Sequence, residues 1–272
     1  MPSCNQVRPF LYLFLFIFFI KNFKFSCETV LLHGEAEPHG ELWDELKQNP
    51  RVKFIYRALH QSVFGVSVKA KEFQSDAMRA EILYEYGGIY QDWDAIWTKP
   101  LTLEQRSYET VVTSDWLAQP NTPEVLMSNP IMALPRSRFI TQVRREGVVG
   151  EGDLCFFCFI GYKVYERDPT IAFRDLHLSV IAFQVCFPFC LNIDISNKML
   201  LQQGRYHPYW QEGASDRMFN GSFDWRTETN NIHFTFPTPL ALRSKKALAK
   251  SDGNSIESQL GRFVMEKAGI KL

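Results

Sequence analysis

Two carboxylates spaced two residues apart are the side chains of this sequence most suited to chemistry. Asp92 and Asp94 follow the short apolar segment Ile89-Tyr90, which predicts a strand. Because alternate residues of a strand point to one face of a sheet, both carboxylates should converge on one small volume. Their charges repel unless one is protonated or a cation lies between them. Since oxygen ligands favour hard divalent ions that keep positions open for phosphates, we expect Mn²⁺ or Mg²⁺ with a phosphorylated substrate.

A helix, a two-glycine turn and a strand are predicted to position these carboxylates. Ser75 is a suitable N-cap, and Asp76 in the first turn complements the helix dipole. Apolar residues then recur at helical spacing on one face, at Met78, Ile82, Leu83 and Tyr86. Gly87 can end the helix in the left-handed conformation, and Gly88 allows a tight turn into the strand.

The sequence around this segment predicts an α/β fold. Strands at residues 29–33 and 52–56 enclose a helix at 41–48, an order typical of a parallel sheet. Further strands are predicted at 111–113, 131–134 and 231–237, and a further helix at 137–146.

One domain is predicted after the N-terminal leader. No repeat or low-complexity linker divides the sequence, so residues 28–272 are assigned to a single domain. Within it, the apolar runs 154–160 and 180–191 are interpreted as buried strands. The residues from about 243 onward are interpreted as an exposed, peripheral helical tail.

Charge and targeting signals restrict the partners and the compartment. The formal net charge is zero, from 30 basic and 30 acidic residues, which disfavours a nucleic-acid partner. The apolar run Phe10–Ile20 follows Arg8 and precedes Lys21, which predicts a signal peptide or an uncleaved signal-anchor over residues 1–27. We therefore expect a type II membrane protein of the Golgi or endoplasmic-reticulum lumen, held to the membrane by this segment, or else a secreted protein.

Six cysteines are compatible with such an oxidising compartment. Cys155 with Cys158, and Cys186 with Cys190, have a spacing that resembles a zinc site. The residues between them are mostly aromatic, whereas zinc knuckles usually carry polar or glycine turns. Disulfides or buried thiols are therefore favoured, and their connectivity stays open.

The block Ser75–Leu101 resembles the glycosyltransferase sugar-binding family that carries a D-x-D motif (glycosyltransferase family 32-like). Relatives in this family include a Golgi α1,6-mannosyltransferase and α1,4-galactosyl- and α1,4-N-acetylglucosaminyltransferases. The matching residues are Ser75, Asp76 and Arg79; Leu83, Tyr84, Gly87, Gly88, Ile89, Tyr90, Asp92 and Asp94; and Lys99, Pro100 and Leu101. A lone D-x-D carries little information, but this combination is specific. Looser similarities occur at Asn129, at 207–210 and at 233–235.

The resemblance implies a fold and a reaction. The fold is a GT-A-like mixed sheet with a Rossmann-like half that binds a nucleotide-diphosphate sugar. The reaction is hexosyl transfer from a UDP- or GDP-sugar to a glycan or glycolipid acceptor, with retention of the anomeric configuration. The implied cofactor is Mn²⁺, or Mg²⁺, which neutralises charge on the leaving diphosphate. No residue of the sequence is assigned as catalytic.

The resemblance also implies roles for individual residues. It implies that Asp94 is a direct metal ligand and that Asp92 contacts the metal or the donor ribose. It implies His233 as a further metal ligand or a contact to the diphosphate. The residues implied on the donor side are Asp76, Arg79, Gly88, Tyr90 and Asp92.

Other interpretations of the same residues stay open. The two D-x-D carboxylates are also compatible with a solvated turn. Asp76 and Arg79 are also compatible with a helix-surface ion pair worth about 0.2–0.5 kcal/mol. The unusual stretch 154–191 on the acceptor side is also compatible with an inactive relative that binds a nucleotide sugar or a glycan without transfer. A haloacid-dehalogenase-type phosphatase also has D-x-D after a strand, but the later acidic pair that it needs is missing.

The leader and the sequon Asn220-Gly221-Ser222 together predict a glycoprotein. The full chain expressed in animal cells should carry a glycan at Asn220, because a lumenal sequon can accept one. The wild type should migrate faster in electrophoresis after endoglycosidase treatment, and Asn220→Gln should not. A cytosolic product with neither glycan nor membrane association would contradict the lumenal assignment.

Overall fold

The computed structural model describes residues 30–39, 41–58, 62–63, 66–67, 71–92, 95–116, 125–146, 156–175, 180–182, 224–234, 244–251, 253–268 and 271. Several predicted features lie outside these ranges: the leader at 1–27, Asp94, the segment 207–210, Asn220, Cys155, Cys186 and Cys190. Within the described ranges, no helix has both the length and the apolar character needed to cross a membrane.

The described residues contain both helices and strands, in a mixed order along the chain. The strands are β1 (Val30–Gly34), β2 (Val52–Tyr56), β3 (Ser62–Val63), β4 (Val66–Ser67), β5 (Gly88–Tyr90), β6 (Ala95–Trp97), β7 (Thr110–Trp116), β8 (Val125–Ala133), β9 (Phe173–Arg174), β10 (Val180–Ala182) and β11 (Asn231–Phe234). The helices are α1 (Glu41–Leu46), α2 (Lys71–Tyr86), α3 (Arg138–Glu146), α4 (Phe156–Arg167), α5 (Trp225–Glu228), α6 (Lys245–Lys250) and α7 (Ile256–Ala268). Strands pair in both parallel and antiparallel fashion, which confirms the predicted mixed α/β class.

The first three elements form the predicted strand–helix–strand unit. Strands β1 and β2 are parallel, with Val30 opposite Val52 and Gly34 opposite Tyr56. Helix α1 connects them and buries Trp43, whose indole Nε1 donates a 2.8 Å hydrogen bond to Glu37 Oε1. A parallel pair requires such a crossover, so the connection follows from the strand direction.

A four-stranded sheet with the order β5-β8-β7-β9 carries the segment that leads to Asp92. Strand β8 lies between β5 and β7 and is antiparallel to both, whereas β9 is parallel to β7. Helices α2, α3 and α4 pack together against this sheet. The core between them includes Leu83, Val112, Ile131, Phe139 and Val164, all essentially inaccessible to solvent. Burial of these side chains fixes where α2 and β5 lie.

A three-stranded sheet with the order β10-β11-β6 follows the D-x-D segment. Strand β6 is antiparallel to β11, and the neighbouring Lys-Pro-Leu motif makes further bonds to the same region. Lys99 Nζ donates a 2.8 Å hydrogen bond to the Thr227 carbonyl, and Asn230 Nδ2 donates a 3.0 Å bond to the Pro100 carbonyl. The Lys-Pro-Leu motif therefore has a structural role, which is to attach β6 to the segment before β11.

Three predictions about helix α2 are wrong. The helix begins at Lys71, so Ser75 lies inside it and is not the N-cap, and Asp76 lies beyond its first turn. The four residues before Ser75 are all compatible with a helix, and the Ser75 hydroxyl instead lies 3.4 Å from the Tyr90 hydroxyl. Tyr86 does not share the buried face of the helix, because it is the last helical residue and is 51% exposed.

The predicted buried strand at 154–160 is also wrong, because Phe156–Arg167 forms helix α4. The helical period becomes visible only when the pattern is followed to its end. Gly161 and Val164 are buried, whereas Lys163 and Arg167 are exposed. Of the other apolar run, Val180–Ala182 is a strand, as predicted. Its remaining residues lie outside the described part of the chain.

The C-terminal residues are helical as predicted, but they are not an exposed tail. Leu260 and Val264 of α7 are fully buried. Phe263 lies edge-on to the Trp225 ring with 5.1 Å between ring centroids. Arg262 Nη2 donates a 3.2 Å hydrogen bond to the Leu248 carbonyl, which joins α7 to the end of α6. Helix α7 therefore packs against both α6 and α5, and α5 directly precedes β11.

The Gly87–Gly88 turn gives a direct test of the helix–strand connection. Gly87 has φ of +64°, and a Cβ atom there would lie 2.5 Å from Pro135 Cδ and 2.8 Å from the Ala133 carbonyl oxygen. We expect Gly87→Ala to lower the free energy of unfolding by about 2–4 kcal/mol, from left-handed strain plus overpacking. Gly88, with φ of +95°, has no neighbour within 4 Å of such a Cβ.

The matched control is therefore Gly88→Ala, which should show only the backbone strain of about 1–2 kcal/mol. Urea denaturation of both variants measures the two losses. Equal losses would contradict the close approach of Pro135 to Gly87.

Candidate functional site

Asp92 lies two residues beyond strand β5, where the β5–β8 ladder has ended. The last registered pair is Tyr90 with Ile131, and the next residue of β8 in that direction is Pro130. Beyond the ladder, the main-chain N–H of Asp92 donates a 2.9 Å hydrogen bond to Oδ1 of Asn129. The backbone at Asp92 is thus attached to the centre of the sheet by a side chain.

The carboxylate of Asp92 is held from the protein side. The Tyr90 hydroxyl donates a 2.7 Å hydrogen bond to Asp92 Oδ1, and Arg79 Nη2 lies 3.5 Å from the same oxygen. The Asp92 side chain remains 30% exposed. One carboxylate oxygen therefore contacts the protein in a half-buried position, and the group as a whole stays accessible to a ligand.

Arg79 is the charged centre of the site. Its side chain is 5% exposed, and Nη1 lies 3.2 Å from Oδ1 of Asp76, whose side chain is 7% exposed. The guanidinium also stacks over the Tyr90 ring, 4.3 Å from the centroid. Burial opposes the charge of Arg79, but the neighbouring Tyr90, Asp92 and Asp76 outweigh it and raise its pKa. The interpretation of Asp76 and Arg79 as a surface ion pair is therefore wrong.

Tyr90 connects the helix to the carboxylate. Burial raises the pKa of the Tyr90 phenol, with Asp92 acting in the same direction and Arg79 opposing it. The phenol consequently keeps its proton at neutral pH and acts as the donor toward Asp92. Its oxygen also lies 3.4 Å from Ser75 Oγ and 3.5 Å from Arg79 Nη2. Tyr90 therefore contacts Asp92 itself, in addition to any contact with a donor sugar.

The structure brings together four of the predicted donor-side residues, namely Asp76, Arg79, Tyr90 and Asp92. Gly88, the fifth, is exposed at the start of β5 and lies opposite Ala133. Its predicted donor contact stays a prediction, as do the ligand roles of the other four.

The predicted metal ligands are only partly described. His233 is half-buried on β11 and lies in register with Ala95, which directly follows Asp94 in the sequence. The pairing of β11 with β6 therefore brings His233 beside the strand that follows the D-x-D motif. In the ranges that the structure covers, no group of three or more His, Cys, Asp or Glu side chains could hold a metal. Since Asp94 is outside those ranges, the set Asp92, Asp94 and His233 stays a prediction.

The sequence predicted no role for Asn129, which contacts the D-x-D motif in the structure. The only indication in the sequence was the loose family similarity at this position. The structure shows the contact as the hydrogen bond to Asp92, which joins residues 37 apart in the chain.

Comparison with known proteins identifies the part of the chain that contains this site. Residues 24–121 match the family described as glycosyltransferase sugar-binding region containing DXD motif. No curated protein matches the chain. The matched residues include the buried Asp76–Arg79 pair, Tyr90 and both D-x-D carboxylates, so the resemblance predicted from the sequence is confirmed. Residues 24–121 of this chain are therefore similar to a glycosyltransferase sugar-binding region containing a DXD motif.

Proposed function

We propose that this protein transfers a hexose from a UDP- or GDP-sugar to a glycan or glycolipid acceptor in the lumen of the secretory pathway. The observation that supports this proposal most strongly is the half-buried Asp92 carboxylate, held by Tyr90 and Arg79, inside a glycosyltransferase sugar-binding region. A solvated turn would not require a buried guanidinium beneath it. Burial of a charged group is costly unless it serves a paired or binding role.

The residues available at this position fit a hard divalent cation. Asp92 offers carboxylate oxygen, the ligand that Mn²⁺ and Mg²⁺ prefer, and it is partly accessible. Asp92, Asp94 and His233 are the residues proposed to hold the ion. When bound, the ion would neutralise negative charge on the leaving nucleoside diphosphate.

The protein's own groups would orient the donor and balance its charge. The positive charge of Arg79 is paired with two carboxylates, with Nη1 3.2 Å from Asp76 Oδ1 and Nη2 3.5 Å from Asp92 Oδ1. The site therefore contains a buried cation whose charge is compensated. Tyr90 fixes the rotamer of Asp92 by its hydrogen bond, which pre-organises that carboxylate for a ligand. With no carboxylate assigned as a nucleophile, we propose retention by a front-face route in which the leaving phosphate assists the acceptor hydroxyl.

A donor-hydrolysis screen tests this function. The full chain is incubated with UDP- and GDP-sugars and Mn²⁺, and release of the free nucleoside diphosphate is measured with and without a chelator. We expect release from at least one donor, abolished by the chelator. Donor binding without release would favour the inactive relative, and hydrolysis of phosphomonoesters in its place would favour the phosphatase.

Asp94→Asn should abolish metal-dependent donor binding without loss of the fold. The substitution removes one of few oxygen charges in a site that the substrate completes, so affinity should fall much more than stability. Calorimetric titration of the donor in Mn²⁺ measures the effect. The matched control is Asp44→Asn, an exposed carboxylate on α1, which should bind the donor as the wild type does. Unchanged donor binding in Asp94→Asn would refute the metal-site assignment.

Arg79 should matter for both stability and binding, because its ion pair is buried. A surface pair would make Arg79→Met nearly neutral, but removal of one partner of a buried pair costs about 3–5 kcal/mol of unfolding free energy. The matched control, Arg145→Met on the exposed side of α3, should change it by less than about 0.5 kcal/mol. Denaturant unfolding measures both variants, and similar values for the two would contradict the buried pair.

Arg79→Lys separates binding from folding. It keeps a positive charge beside Asp76 but loses the planar fork that contacts two carboxylates. We expect the donor affinity of the folded variant to fall at least about 10-fold, a difference of about 1.4 kcal/mol. A folded Arg79→Lys protein with wild-type donor affinity would restrict the donor site to the D-x-D carboxylates.

A further inference from the structure

The main chain of Asp92 lies beyond the end of the β5–β8 ladder, so it needs an attachment other than a strand–strand hydrogen bond. The register pairs Tyr90 with Ile131, and Pro130 is the next residue of β8 toward Asp92. Proline has no N–H to donate, and the registered pairs of the ladder end just before it. A D-x-D segment that left the sheet here without another attachment would be free to change its backbone conformation.

Asn129 provides that attachment with its side chain. Its Oδ1 accepts a 2.9 Å hydrogen bond from the Asp92 N–H, in the way that a strand carbonyl accepts within a ladder. The residue is 1% exposed and lies on β8, the strand between β5 and β7. Asp92 is therefore held at two points, its main chain by Asn129 and its carboxylate by Tyr90 and Arg79.

The Nδ2 amino group of Asn129 shows that packing alone does not explain why an asparagine lies at this position. Only the amide oxygen can accept from an N–H, so the bond to Asp92 fixes the orientation of the amide. Nδ2 is then buried and has no hydrogen-bond partner in the part of the chain that the structure describes. An unsatisfied buried donor costs free energy, which an apolar side chain of similar size would avoid. The bond to Asp92 gives the asparagine a role that the apolar side chain lacks.

We propose that Asn129 is a positioning residue for the D-x-D motif, which sets the backbone at Asp92 and so the direction of its carboxylate. The ligand whose binding Asn129 affects is the nucleotide-sugar donor of the proposed function, and this inference rests on that function. Asn129 acts on the donor through Asp92, and removal of its amide oxygen should release the start of the D-x-D segment while β8 stays in the sheet.

Amide hydrogen exchange at Asp92, followed by NMR without metal or donor, tests the positioning directly. We expect exchange at Asp92 to be at least about 10-fold faster in Asn129→Ala, a difference of about 1.4 kcal/mol in protection. The amides of Ile131 and Met132 in β8 should keep their protection. Asn129→Asp retains an oxygen acceptor and should keep Asp92 protected.

The matched control is Thr113→Val on the neighbouring strand β7. Thr113 is fully buried, and its hydroxyl has no hydrogen-bond partner among the described residues. This variant should leave exchange at Asp92 unchanged, which separates the specific bond from a general loss of buried polar groups. If Asn129→Ala does not fold, Asn129→Asp decides, and loss of Asp92 protection in that variant would overturn the proposal.

Donor titration in Mn²⁺ tests the functional consequence. We expect folded Asn129→Ala to bind the donor at least about 10-fold more weakly than the wild type and Thr113→Val. Wild-type donor affinity in Asn129→Ala, or unchanged exchange at Asp92, would overturn the inference. If the wild type itself binds no nucleotide sugar, the proposed function fails, and the exchange comparison alone decides whether Asn129 positions Asp92.

Discussion

A buried guanidinium organises this protein's candidate site. Arg79 lies inside the fold with Asp76 at 3.2 Å and Asp92 at 3.5 Å, and it stacks on Tyr90 at 4.3 Å. A charge in that position is stable only while its partners stay in place, since removal of one leaves another charge buried without compensation. The position of Asp92 is therefore linked to the packing of helix α2, and the site forms only when that helix is docked.

The Gly87–Gly88 turn makes this arrangement possible within a short stretch of chain. It reverses direction between α2 and β5, so that Arg79 and Asp92, 13 residues apart, approach each other. The same turn places β5 beside β8, whose Asn129 holds the main chain of Asp92. The turn thus brings Asp92 close to both the Arg79 guanidinium and the Asn129 amide oxygen. This explains why the motif includes the helix and the turn as well as the carboxylates.

Local patterns predicted the elements that depend on local chemistry, including β2, the left-handed Gly87 and helix α3. They failed where tertiary contacts decide. The spacing of Asp76 and Arg79 is the same on an exposed helix as on a buried one, and only the tertiary contacts of Arg79 with Tyr90 and Asp92 distinguish the two cases. The role of Asn129 depends on the register between two distant strands, which no local pattern contains. The apolar run at 154–160 was too short to reveal the helical period of α4.

Manganese binding measured by electron paramagnetic resonance tests the central claim most directly, because the signal of free Mn²⁺ falls when the ion is bound. The account predicts that the full chain binds one Mn²⁺ when UDP or GDP is present, since the diphosphate completes the site. It also predicts that Asp92→Asn loses this binding, whereas Asp44→Asn keeps it. Equal Mn²⁺ binding by Asp92→Asn and the wild type, or none by the wild type with either nucleotide, would contradict the claim that Asp92 is held for a metal-bound donor.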